Sequence, residues 1–147
     1  MKNMKNIARI LVLMVVVFTT YSCNKEYNDY DTDRETILGF ADLLGIAQVP
    51  LGEQTVDIEI GFLSSDIAST DRSFQVYVVS EGTNVDAENY TFNPSVVLPA
   101  NQQSGSFIFT AVDVSLTSDF GDVFLGFESN EIALSTGQIN IKVRTLN

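Results

Sequence analysis

The sequence predicts an all-β protein, a two-sheet antiparallel sandwich of about seven strands, and three features of the 147-residue chain point to it. From Thr36 onward, short stretches of period-two alternation recur, separated by Gly, Pro, Asn and Asp turns. No long segment of helical period with caps interrupts them. An apolar fraction of 45%, with ten Phe and five Tyr, fills one packed core and is too high for a disordered chain.

Taken along the chain, Glu35 to Phe40 is a candidate opening strand. Ala41 to Val49 is ambiguous, because Leu43, Leu44, Ile46 and Ala47 suit either one helical turn or a bulged strand. Gly45 argues against a stable helix there, and Pro50 ends whatever precedes it. Thr55 to Phe62 is the clearest strand: Val56, Ile58, Ile60 and Phe62 fall on one face, Asp57, Glu59 and Gly61 on the other. Phe74 to Val79 follows, with Phe74, Val76 and Val78 inward. Ser95 to Leu98, then Ser104 to Thr110 with Phe107 and Phe109 on one side, continue the pattern. So does Asp122 to Phe127, with Val123, Leu125 and Phe127 together. Near the end Ile139, Ile141 and Val143 alternate with Gln138, Asn140, Lys142 and Arg144, a strand expected to close the domain. Seven short strands in about 110 residues suit an immunoglobulin-like sandwich, with a closed barrel as the alternative.

The amino terminus reads differently. Lys2, Lys5 and Arg9 precede an apolar run from Ile10 to Phe18, and Thr19, Thr20, Tyr21 and Ser22 follow. A basic region, a short apolar region and a small-residue exit are the parts of a cleaved signal peptide. Nine helical residues would cover only about half of a bilayer core, which disfavours a permanent span. The one cysteine, Cys23, comes directly after Ser22. An unpaired thiol is out of place in an oxidising exported setting unless something occupies its sulfur, so lipidation at Cys23 is expected. The segment resembles the lipobox of bacterial lipoproteins, in which a small residue precedes the modified Cys; Thr20 stands where an aliphatic residue is usual. The expected organisation is a leader over 1–22, an acidic tether over 23–35 and a sandwich domain over 36–147. The membrane would be the first partner, through the lipid. The Lys25-Glu26 step just behind Cys23 also resembles the signal of lipoproteins displayed on the outer face of the outer membrane.

Charge removes other classes. Without the three basic residues of the leader, five remain against 19 acidic ones, a net charge of about −14. Such a chain repels phosphate polyanions, which disfavours nucleic acid as a partner. No histidine is present, so the usual proton shuttle at neutral pH and Ser-His-Asp catalysis are absent, and the commonest zinc ligands are depleted. A carboxylate pair of the glycosidase type is the remaining enzymatic option, and 19 acidic residues supply such pairs by chance. A non-enzymatic module is expected.

The stretch Gly52 to Ser129 resembles a Calx-β-type immunoglobulin-like module. The residues that carry the resemblance are the acidic-glycine turn at Gly52-Glu53, Val85-Asp86-Ala87-Glu88-Asn89-Tyr90, Leu98-Pro99-Ala100-Asn101-Gln102, and Phe107-Ile108-Phe109-Thr110-Ala111-Val112-Asp113. It implies a sandwich fold. In some members paired acidic loops hold Ca²⁺ through six to eight oxygens. Here Asn89 and Asn101 replace the family's Asp and Gly, and Val114 stands where a second Asp is expected. No cofactor is therefore expected, and Ca²⁺ is disfavoured. The residues that would be candidates for it are Asp86, Asp113, Asp119 and Asp122.

Other candidates have ordinary alternatives. Asp29, Asp31 and Asp33 have the spacing of a calcium loop, but Arg34 and Phe40 stand where Gly and Glu are needed, which leaves an acidic solvated tether. Asp113, Asp119, Asp122 and Glu128 would share a cation only if they met at one end of the sandwich; otherwise they are loop residues that keep the chain soluble. Tyr77 and Tyr90 offer stacking surfaces for sugar rings, or else pack within the strands. The expectation is a lipid-anchored envelope module for binding, with glycan as one ligand class, or a structural and adhesion module that packs on another envelope protein.

Overall fold

The computed structural model describes residues 35–129 and 133–146. The leader, Cys23 and the acidic segment up to Arg34 lie outside the described residues.

Among the described residues ten strands form: β1 (Thr36–Phe40), β2 (Leu44–Val49), β3 (Thr55–Ser64), β4 (Arg72–Val79), β5 (Tyr90–Phe92), β6 (Ser95–Leu98), β7 (Ser104–Val112), β8 (Gly121–Phe127), β9 (Ala133–Thr136) and β10 (Gln138–Thr145). A single 3₁₀ turn, Ala87–Asn89, precedes β5. The strands build two five-stranded sheets, one in the order β5-β7-β3-β1-β9 and the other β2-β10-β8-β4-β6. Among the described residues no helix is long and apolar enough to cross a membrane.

The sandwich architecture is as the alternation predicts, and the inward faces agree strand by strand. Phe74, Val76, Phe107, Phe109, Val123, Leu125, Phe127, Ile139, Ile141 and Val143 are all buried in one core. Phe62 and Ile60 of β3 are buried with them, whereas Val56 and Ile58 are half-buried and pack against the core. Aromatic rings bridge the two sheets: Phe127 of β8 lies 4.6 Å from Phe40 and 5.5 Å from Phe62, centroid to centroid.

Two features differ from the expectation. The strand count exceeds seven, since β2, β5 and β9 are additional. The sheets are not wholly antiparallel, because β1 pairs with β9 and β2 pairs with β10 in parallel. The last strand, β10, lies inside its sheet, between β2 and β8.

Within the ambiguous segment 41–49, residues Leu44–Val49 form a strand. The β2 ladder runs along β10, with Leu44 opposite Asn140 and Val49 opposite Thr145. That pairing reaches almost to the carboxy terminus of the chain, so no local window contains it. Alternation then puts Ala47 and Val49 inward and leaves Leu44 and Ile46 about half exposed. Gly45 has a reason to be glycine: a Cβ there would sit 3.3 Å from Ile58 Cδ1 and 3.4 Å from Ile141 Cγ1.

Candidate functional site

Strand β8 separates the predicted acidic residues. Asp122 stands at its start and Glu128 just past its end, about 20 Å apart along an extended strand. The notion that Glu128 joins Asp113, Asp119 and Asp122 at one end of the sandwich is therefore incorrect.

At the Asp122 end, the structure commits the residues differently. Asp122 Oδ1 accepts hydrogen bonds from Lys142 Nζ at 2.7 Å and Asn140 Nδ2 at 2.8 Å. Those two bonds, opposed by partial burial, hold its carboxyl below the ordinary aspartate range. Asp86 and Asp119 both line a small depression of about 120 Å³. Asp86 leads into the 3₁₀ turn, where its carbonyl accepts from the Asn89 N–H at 2.9 Å. Asp113 follows β7, and its N–H donates to the Gln54 carbonyl at 2.8 Å. Among the described residues no three acidic side chains converge as metal ligands would.

Asn89, 2% exposed, organises this end. Its Oδ1 accepts from the N–H groups of Val114 (3.2 Å) and Ser115 (2.9 Å), while its Nδ2 donates to Ser115 Oγ at 2.9 Å. The amide clasps the turn before β5 to the loop after β7. Tyr90, the next residue, is half-buried with its ring stacked 5.7 Å from Phe109, so it is a packing residue and not an exposed platform.

The opposite end carries the larger concavity, a cleft of about 620 Å³. Its wall on the second sheet is Tyr77 of β4 with Phe127 and Glu128 of β8. Ser129 and Ser135 of β9 continue it, and Gly137 and Gln138 at the start of β10 complete it. The chain leaves the second sheet after β8, adds β9 to the first sheet, and returns as β10. Gly137 allows the return: its φ of 78° lies in the left-handed region that favours glycine.

Tyr77 is set by its cross-strand partner. The alternation that buries Val76 and leaves Val78 half-buried turns Tyr77 outward, and the register puts Gly126 opposite it. A Cβ on Gly126 would lie 3.1 to 3.2 Å from the Tyr77 ring and hydroxyl, so the ring rests on strand backbone that any side chain would lift. It remains 43% exposed. The Glu128 N–H donates to the Gln75 carbonyl at 2.9 Å, which fixes the strand end beside the ring.

The cleft thus pairs a supported aromatic surface with a carboxylate, an amide and two hydroxyls. Apolar area with polar groups around it suits a ring that has a C–H face and hydroxyls at its rim. Tyr77 and Glu128 were legible as individual residues. Gln138, Ser129 and Ser135 were not, because they come to the cleft only through the crossing between sheets.

The fold is that of a Calx-β-like, immunoglobulin-like sandwich. It is similar to the apo-form Calx CBD1 domain, with a TM-score of 0.58 and 11% identity over 78% of this chain and all of that one. It is also similar to a Bacteroides ovatus protein of unknown function (TM-score 0.61, 11% identity, 75% of this chain and 45% of that one). A third similar structure is a Bacteroides ovatus protein proposed to bind carbohydrate (TM-score 0.58, 11% identity, 74% of this chain and 37% of that one). The chain thus spans less than half the length of those two Bacteroides proteins. At such identities the likeness concerns the fold. No family profile and no curated relative matches the chain.

Proposed function

We propose that this chain is a non-enzymatic binding module of the bacterial cell envelope, lipid-anchored at Cys23 in the outer membrane, and that it captures glycan in the Tyr77 cleft. The observation that carries the reading is the Tyr77 ring, held outward on Gly126 beside Glu128 and Gln138 in the larger concavity. Its volume of about 620 Å³ falls in the range of small-molecule sites, roughly 300–1,000 Å³. The similar Bacteroides ovatus structure proposed to bind carbohydrate agrees with the ligand class.

A glycan array probed with the full chain tests it. Binding to one or more glycans, weakened about tenfold or more by Tyr77→Ala, is the expected result. Binding that is indifferent to Tyr77 would move the site elsewhere.

A second reading is favoured by β2. It is an edge strand with Leu43 80% exposed and Leu44 and Ile46 about half exposed, a surface on which another envelope protein could add a strand. Cross-linking of the chain in intact cells to a single envelope partner, lost in Ile46→Lys, would support this reading over glycan capture.

A further inference from the structure

We propose that the Tyr77 cleft selects uncharged sugars and turns away acidic ones, an inference that rests on the glycan reading above. Glu128, exposed to solvent, supplies a carboxylate to the cleft wall, and among the described residues no Lys or Arg lines it. The cations of the described residues are Arg72, Lys142 and Arg144, and each is engaged away from the cleft. Arg72 Nη1 lies 2.8 Å from Asp66, and Lys142 Nζ 2.7 Å from Asp122. Arg144 donates from Nε to Gln48 Oε1 at 2.9 Å, with its guanidinium 4.3 Å from the Phe120 ring centre.

Distance makes these cations irrelevant to a ligand in the cleft. Lys142 stands four residues beyond Gln138 on β10, about 13 Å along the strand, with Arg144 farther on. Arg72 stands five residues before Tyr77 on β4, roughly 17 Å away. Both separations exceed the Debye length of about 8 Å at physiological salt. Among the described residues, a sugar carboxylate or sulfate on Tyr77 would therefore meet Glu128 without a compensating cation, on a chain whose formal net charge is −11. At about 5 Å from Glu128, in water at physiological salt, that repulsion weakens binding roughly twofold, and more where water is excluded. Hydroxyls and N-acetyl groups meet no such penalty, because Glu128 accepts their hydrogen bonds and Gln138 both donates and accepts.

Affinity electrophoresis of the full chain tests the selectivity, in gels that contain either neutral polysaccharides (β-glucan, galactomannan, xylan backbone) or polygalacturonate and chondroitin sulfate. The expected result is retardation by at least one neutral polymer, lost in Tyr77→Ala, with at least about twofold weaker retardation by the acidic ones. In Glu128→Gln the neutral-to-acidic ratio should narrow by about twofold. Acidic polymers that retard the chain as strongly as neutral ones, through Tyr77, would overturn the selectivity and leave the glycan reading standing. An unchanged ratio in Glu128→Gln would also overturn it. Retardation by neither class would remove the glycan reading and this inference together. Far-UV circular dichroism of each variant checks that the β fold is kept.

Discussion

Replacing Asn89 by alanine removes the clasp between the turn before β5 and the loop after β7, and the cost follows from its bonds. The amide makes three hydrogen bonds of 2.9 to 3.2 Å to Val114 and Ser115, and the residue is 2% exposed. At about 1 kcal/mol net for each, the loss approaches 3 kcal/mol. Water reaches the exposed Val114 and Ser115 and satisfies part of what is left, so the expected cost is about 2–3 kcal/mol. That is a large part of the 5–15 kcal/mol typical of a whole domain, on the order given for such folds. Asn93→Ala is the control: Asn93 Oδ1 accepts one exposed bond, from the Ser95 N–H at 3.0 Å, and its loss should cost under about 1 kcal/mol. Urea melts that follow tryptophan-free far-UV signal, compared at unchanged m value, measure both. Equal midpoints for the two variants would refute the clasp, and with it the claim that Asn89 is a structural residue at the acidic end.

The core, the acid limit and the anchor supply the remaining predictions. Ile141, fully buried, should cost about 3–5 kcal/mol when cut to Ala, the half-buried Ile58 about 1–2, and the exposed Glu59→Ser well under about 1. Urea melts rank them, and a Glu59 variant as damaged as Ile141→Ala would reverse the assigned faces. Burial pushes the Asp66 carboxyl up, but hydrogen bonds from Arg72, Ser64 and Thr36 and the charge of Arg72 outweigh it and hold it below its ordinary 3.8. A carboxyl depressed in the folded state adds stability above its unfolded value and loses it as pH falls through the folded one. Denaturation midpoints should accordingly fall below about pH 4, and Asp66→Asn should flatten that fall; a slope unchanged in the variant would assign it to other carboxylates. Cys23→Ser should move the protein from the detergent phase to the aqueous phase in a partitioning assay, since several acyl chains make release negligible. Unchanged partitioning would place the anchor elsewhere.

The sandwich was readable because its signal is local. In β3 and β10 the alternation of apolar and polar residues is complete within eight or so positions, and a slip of one residue would bury Asp57, Glu59 and Lys142. Each strand could thus be assigned its inward face without knowledge of its neighbours. The same locality made Tyr77 legible as an outward aromatic between Val76 and Val78, and Cys23 as a candidate for modification from its place after a leader.

What the tertiary structure decided is every relation between strands. Ladder bonds to β10 decided between the helical turn and the strand that 41–49 left open, since Leu44–Val49 pairs with a segment almost a hundred residues away. The length of β8 keeps Glu128 from Asp122, and sheet order joined it to Tyr77, Ser135 and Gln138 instead. Gly126 under the Tyr77 ring is a register fact, invisible until β4 and β8 are paired. The sequence by itself determined which side of each strand faces the core, because burial is a property of alternate residues on one strand. Only the fold decided which side chains share a cleft, because proximity across a sheet depends on topology that no single strand encodes.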